Sequence, residues 1–257
     1  MPPIALTIAG SDPGGGAGIQ ADLKTFHQLG VYGTSAITLV TVQNTVRVSR
    51  VELLVASLVA EQIDAVLEDL PPSAIKTGAL GSAEIVEAVA SRAFKGPLVV
   101  DPVTISKHGY PLLNSAARDA MRTLLLPRAA LVTPNLDEAA QLTGIVVDCP
   151  ESMKEAARRI ADLGPRAVLV KGGHLEGDAL DILFAGGQFT DFRSPRIETR
   201  HTHGTGCTYS AAIAAFLAHG RGLEEAVGAA KAFITEAIRT APGLGGGAGP
   251  LNHWVSL

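Results

Sequence analysis

Several things are scarce in this sequence. Of 257 residues only two are cysteine, Cys149 and Cys207. A disulfide framework needs more cysteines in a shorter chain, and a zinc site needs closely spaced ligands, so both are excluded. No apolar run approaches the roughly 20 residues of a spanning helix. No basic run stands out either, and 21 basic against 25 acidic residues leave a formal net charge of −4. That balance argues against nucleic acid and against a membrane surface as partners. Residues 1–18 lack a basic start and break into Gly and Asp after Ile8-Ala9. They do not read as a signal peptide, and a cytoplasmic protein is expected. The pattern GxxxxGK(S/T) is missing throughout, which excludes a P-loop.

What is present points to a packed globule. Hydrophobic residues make up 47% of the chain, well above the range of disordered sequences. The length suits one large domain, and no repeat or boundary divides residues 1–257. Short apolar runs predict strands at Ile4–Ala9, Ala36–Thr41, Ala74–Thr77, Leu98–Val100, Ala130–Thr133, Ala167–Val170 and Leu180–Phe184. Most lack polar alternation, as expected of strands covered on both faces. Helical periodicity appears at Ser57–Leu70, Ala83–Ala93, Ala116–Leu125 and Ser152–Leu163. In the first of these Leu58, Ile63, Val66, Leu67 and Leu70 share the expected inner face. This alternation predicts a three-layer α/β/α fold with a mainly parallel central sheet flanked by helices. The stretch Ala179–Ile197 breaks the pattern. It reads as β segments joined at Gly186-Gly187, antiparallel or at an edge. Two successive helices follow, Thr205–His219 and Leu223–Thr240, and then a Gly-rich tail at Gly243–Gly249 that reads as a linker or a ligand-side loop.

In parallel sheets ligands bind beyond the carboxyl ends of the strands. Polar residues gather there: Gly10-Ser11-Asp12, Gln43-Asn44-Thr45, Lys76-Thr77-Gly78, Asp101-Pro102, Thr133-Pro134-Asn135 and Lys171-Gly172-Gly173-His174. One site along one edge of the sheet is expected.

The sharpest local feature is Gly204-Thr205-Gly206-Cys207, ahead of the helix-forming run Ser210–Ala215. Glycines there leave backbone N–H groups free at a helix N-terminus, an anion site suited to a transferring phosphoryl group. Cys207 would lie in the first turn, where the dipole favours thiolate, and a thiolate accepts a proton from a hydroxyl. Its alternative is a thiol that only packs. Asn135 and Glu138 share one face at the start of a helix. They suit hydrated Mg²⁺, with Asp101 as a further carboxylate, or simply a helix cap. Lys171 suits a nucleotide phosphate or solvent. His203 and His174 suit the site or a loop cap. The Gln43 carboxamide both donates and accepts, matching an aminopyrimidine edge, or it is satisfied by loop backbone. The loop Gly14–Gly18 fits GxGxxA only weakly, because no acidic residue ends the second strand.

Read together, the segments AGSDPGGGAGIQADLKTF (9–26), TVQNT (41–45), KTGAL (76–80), DPV (101–103), TPNLDEA (133–139), VKGGHL (170–175), THGTGCTYSAAIAA (202–215) and GPLNHW (249–254) carry a likeness along the whole chain. The chain resembles the hydroxymethylpyrimidine/phosphomethylpyrimidine kinases of thiamine biosynthesis, in the ribokinase-like superfamily. The resemblance implies an ATP- and Mg²⁺-dependent kinase and a homodimer. Its acceptors would be 4-amino-5-hydroxymethyl-2-methylpyrimidine and then its monophosphate. It implies that Gln43 reads the pyrimidine, with Ala17, Gly10, Asp22, Leu80 and Val103 around it. Gly204, Thr205 and Gly206 would form the anion hole and Cys207 would hold the catalytic-base position, where sugar-phosphorylating relatives carry Asp. Lys171, Thr202 and Lys231 would face the nucleotide, and Asn135, Glu138 and Asp101 the magnesium. The sequence departs from the family pattern at Val42, which is expected to narrow the pocket. It departs also at Thr104-Ile105-Ser106-Lys107-His108-Gly109, expected to affect closure, and at Tyr209.

Overall fold

The computed structural model describes residues 1–105, 109–110, 112–173, 175 and 177–255. The His108 loop from Ser106 to His108, and His174, lie outside the described residues.

Among the described residues nine strands form one sheet. In chain order they are β1 (Ile4–Ser11), β2 (Tyr32–Gln43), β3 (Val48–Leu53), β4 (Ala74–Thr77), β5 (Leu98–Val100), β6 (Leu131–Val132), β7 (Ala167–Lys171), β8 (Ala179–Ala185) and β9 (Gln188–Ser194). Their spatial order is β3-β2-β1-β4-β5-β6-β7-β8-β9. The strands from β2 to β7 in that order run parallel, as the two-face burial of their apolar runs requires. β3, β8 and β9 are antiparallel at the two edges. The β8–β9 hairpin turns at Gly186 and Gly187, both at positive φ, which matches the twist of a two-residue hairpin. β3 is not legible as an apolar run. It carries Ser49, Arg50 and Glu52, since an edge strand needs only its pairing to β2.

Successive strand residues point to opposite layers. Leu6, Ile8, Val100, Val168 and Val170 join one buried cluster, and Ala5, Val99, Ala167 and Leu169 join the other. The first layer holds α2 (Ala56–Asp69), α3 (Ala83–Ala90), α4 (Ser115–Ala120, continued by a π turn through Leu125), α5 (Leu136–Thr143) and α6 (Pro150–Ala161). In α2 the inner face centres on Val59 and Ile63, while Leu58 is exposed. Ile63, Val66 and Leu67 lie on the inner face as expected, and Val59 takes the place expected of Leu58. The second layer holds α1 (Gly18–Gln28), α7 (Thr205–Ala218) and α8 (Leu223–Arg239). α7 is buried continuously from Thr208 to Phe216, so it is apolar on every side, and its alanines let α1 and α8 pack closely. The Gly-rich tail does not trail away. Gly247 N donates to Thr45 Oγ1 (3.3 Å), which docks the tail on the β2–β3 turn.

No helix among the described residues is long and apolar enough to cross a membrane.

Candidate active site

A cleft of about 750 Å³ opens beyond the carboxyl ends of β1, β2, β4, β5 and β7. The strand-end clusters read from the sequence do converge there.

At one end the cleft is built around Asp12, which follows β1. Its Oδ1 accepts the Gly14 amide (2.7 Å), and its Oδ2 accepts the amides of Gly16 (3.1 Å) and Ala17 (2.9 Å). His203 Nε2 lies 2.9 Å from the same Oδ2. The Gln43 carboxamide lies close enough to favour the charged form of this carboxylate. Burial opposes charge on Asp12. His203, the Gly14 amide and Gln43 outweigh it and hold the carboxyl below its usual range. Gln43 lines the cleft beside it. Gly10, Ala17 and Val103 line the same end.

Asp22 and Leu80 do not. Leu80 is fully buried in the sheet–helix core, because the chain turns inward after Gly78 and Ala79, which line the cleft in its place. Asp22 faces the sheet from the second turn of α1 and pairs with Lys76 (2.8 Å) behind the cleft wall. Val42 is 54% exposed and points away from the cleft, so it does not narrow it.

The glycine loop and the Gly204 turn meet backbone to backbone. Gly204 sits at φ +82, and a Cβ there would overlap the Gly16 carbonyl. Only glycine combines this left-handed conformation with so close an approach. α7 starts at once after it; the Thr205 amide donates to Thr202 O (3.3 Å), and the Gly206 and Cys207 amides come next in the first turn. Gly204, Thr205, Gly206 and Cys207 all line the cleft.

The remaining polar residues are charged. Lys171 Nζ donates to Asp101 Oδ1 (2.9 Å), which Thr133 Oγ1 also reaches (3.1 Å). Burial opposes charge on Asp101, but Lys171 and Lys76 hold its carboxyl below the usual range. Burial likewise opposes charge on Lys171, and Asp101 and Glu138 keep it protonated. Asn135 and Glu138 form a reciprocal cap on α5: Asn135 Oδ1 accepts the Glu138 amide (2.9 Å) and Glu138 Oε2 accepts the Asn135 amide (2.8 Å). The cap reading of the pair therefore holds, and both residues also line the cleft. Burial pushes the Glu138 carboxyl up to about 8, with Asp101 adding to the rise and Lys171 resisting it.

Two expectations need correction. Burial pushes the Cys207 thiol up to about 11, although Lys76 and the nearby Gly18 amide oppose the rise. Desolvation therefore outweighs the helix dipole, and the resting sulfur is a thiol. Lys231 lines the cleft, but its ammonium is not free to meet a ligand with all three donors. It donates to Ala179 O (2.9 Å) and Asp181 Oδ2 (2.6 Å), and Asp181 in turn accepts the Gly172 amide (3.1 Å). Lys231 thus steadies the turn after Lys171. Tyr209 lies against the same Asp181, and Thr202 lines the cleft.

Sequence reasoning assigned no role to Asp12 or Lys76. Each left a signal. Asp12 is a short acid just ahead of glycines, and Lys76 is a charge inside an apolar strand.

The fold and the site are those of a small-molecule kinase: a parallel α/β sheet, an anion-binding helix start at its carboxyl edge, and buried charges facing it. The family described as phosphomethylpyrimidine kinase matches residues 12–252. A hydroxymethylpyrimidine/phosphomethylpyrimidine kinase of Streptomyces coelicolor is 51% identical over 258 residues, spanning 100% of this chain and 96% of that one. The solved phosphomethylpyrimidine kinase of Clostridium difficile is 46% identical, with a TM-score of 0.82 over 92% of this chain and 99% of that one. Pyridoxal kinase of Staphylococcus aureus, in complex with AMP-PCP and pyridoxal, is 38% identical with a TM-score of 0.89, over 99% and 94% of the two chains. The chain belongs to the phosphomethylpyrimidine kinase family, and it is an ATP-dependent kinase of ribokinase-like fold.

Proposed function

We propose that the enzyme transfers the γ-phosphoryl of ATP to the hydroxyl of 4-amino-5-hydroxymethyl-2-methylpyrimidine. It then phosphorylates the monophosphate, yielding the diphosphate used in thiamine biosynthesis. The observation that carries this reading is the union, in one cleft, of the Gln43 carboxamide with the Gly204–Cys207 helix start. The carboxamide suits an aminopyrimidine edge. The helix start suits the charge of a phosphoryl in transfer, where positioning and electrostatics do most of the work. Cys207 stands where the acceptor hydroxyl loses its proton. Lys171 and Thr202 face the nucleotide, and Lys231 holds the adjoining turn.

Magnesium fits the same end. Among the described residues no group of three or more His, Cys, Asp or Glu gathers around one point. Mg²⁺ needs fewer, because it keeps water and takes phosphate oxygens. Two buried carboxyls, Asp101 and Glu138, face the cleft, and burial drives Glu138 toward neutrality, with Asp101 adding to it. These two would hold the ion, with Asn135 setting Glu138 through the cap. Bound there, the ion would neutralise phosphate charge.

A homodimer belongs to the same reading. Val40, Val42, Val46 and Leu53 are exposed on the β2–β3 hairpin, an apolar edge that favours pairing. The cytoplasm suits the two free cysteines.

Incubation of the purified protein with Mg-ATP and the hydroxymethylpyrimidine should give the monophosphate and then the diphosphate. Absence of both products rejects the proposal. Likeness to pyridoxal kinases at TM-scores of 0.89–0.90 favours a second reading, phosphorylation of pyridoxal. The ratio of kcat/KM for the two alcohols decides between them.

A further inference from the structure

Lys76 is a charged residue in a place where charge is costly. It sits in the middle of the fully buried strand β4 and is 0% exposed. Its Nζ donates to Asp22 Oδ2 (2.8 Å), and Thr7 Oγ1 donates to the same oxygen (2.6 Å). Asp22 Oδ1 is buried with no hydrogen-bond partner. A buried ion pair of this kind contributes little net stability compared with well-packed apolar residues. Stability is therefore a poor reason for its presence, and its position supplies a better one. A Cβ built on Gly78, a cleft-lining residue, would come within 3.0 Å of Lys76 Nζ. The ammonium thus lies just behind the cleft wall. α7 packs across β4 there, and Lys76 and Cys207 feel each other's charge.

We propose that Lys76 is a positioning residue for phosphoryl transfer: its buried ammonium stabilises negative charge on the Cys207 sulfur, and Asp22 holds the ammonium in place while opposing that effect. The resting thiol first gives its proton to water, and the sulfur enters the step as thiolate. It takes the acceptor's hydroxyl proton as the oxygen–phosphorus bond forms and the bridging bond to the nucleoside diphosphate breaks, and it later gives that proton to water. The charged groups that act on Cys207 are Lys76 from β4, Asp22 from α1, Asp101 after β5 and Lys171 at the end of β7, together with the Gly18 amide that opens α1. Asp22 and Asp101 oppose the thiolate. Lys76 is the largest influence favouring it, and burial works against Lys76's own charge without removing it, because Asp22, Cys207 and Asp101 all support the protonated form.

This inference rests on the reading of Cys207 as the group that meets the acceptor hydroxyl. Its test needs neither ATP nor a pyrimidine, so it stands or falls separately from the assigned reaction. In a Cys149→Ser background Cys207 is the sole thiol. Its rate of alkylation by iodoacetamide at pH 8.5 reports the thiolate fraction. Lys76→Met should slow alkylation at least ~10-fold, the equivalent of one unit of thiol pKa. Lys76→Arg, which keeps the charge, should recover most of the rate. Asp22→Asn should speed alkylation at least ~3-fold, since it removes an opposing charge. Loosened packing alone would speed both Lys76→Met and Asp22→Asn. An unchanged or faster rate in Lys76→Met overturns the proposal. Should Lys76→Met fail to fold, Asp22→Asn carries the test, and an unchanged or slower rate in it overturns the proposal.

Discussion

The two ends of the cleft use charge in opposite ways. At the acceptor end one carboxylate, Asp12, is wholly committed to protein: three backbone amides, His203 and Gln43 surround it. A ligand arriving there meets glycine backbone and a carboxamide. At the phosphoryl end Asp101, Glu138 and Lys171 line the cleft, and Lys76 lies behind it. Glu138 is poised between its two protonation states. Charge at the first end serves as scaffold and shape does the reading. Charge at the second end is left able to respond to the phosphate and metal that the proposed reaction would bring.

The steepest way to break this contrast is at the joint between the ends. Gly204→Ala places a Cβ into the Gly16 carbonyl at a φ of +82. kcat/KM should fall at least ~100-fold, as when an oxyanion-type donor is lost. The melting temperature should drop by about 5 °C or more, which calorimetry will show. Cys207→Ser tests the charged end alone. kcat should fall by ~10–100-fold while acceptor KM stays within about threefold, the pattern of a proton-transfer group; wild-type turnover would reduce Cys207 to a lining residue.

The pH dependence of stability comes next. In the metal-free folded protein burial pushes the Glu138 carboxyl up to about 8, against about 4.5 for the same group in solvent. Between those values the folded state holds the extra proton. Stability should therefore fall as pH rises from about 4.5 to about 8 and level off above, by on the order of a few kcal/mol. Glu138→Gln, which keeps the cap acceptor, should flatten the slope, and Mg-ATP should flatten it in the wild type. Urea denaturation at pH 5, 7 and 9 measures this. The smallest effect belongs to the uncharged end. Gln43→Ala should weaken acceptor binding by about tenfold, or ~1.4 kcal/mol, with kcat nearly unchanged. Calorimetric titration that finds an unaltered Kd would remove Gln43 from the recognition surface.

Much of this was legible in the residues. Apolar runs such as Ile4–Ala9 and Ala167–Val170 declare two-sided strands, and the strand-end polar clusters do meet in one cleft. Local signals failed where a partner distant in sequence decides. β3 exists because β2 offers it a ladder, so its own charged residues conceal it. Leu58 and Val59 are one residue apart, and periodicity alone could not say which the sheet would cover. A helix start lowers a thiol pKa, but Cys207 is also desolvated by elements far away in the chain, and that influence is larger. Lys231 carries an obvious charge, yet its partners Ala179 and Asp181 lie some fifty residues earlier.

Backbone contact between the Gly14–Gly18 loop and Gly204 bears on the order of assembly. The acceptor floor is written near the amino terminus, whereas its ceiling is written almost two hundred residues later. A chain emerging from the ribosome can pair every strand of its sheet, through Ser194, and still own only half a cleft. Catalytic competence therefore arrives late and abruptly, when α7 docks. Chains truncated before that helix would be inert.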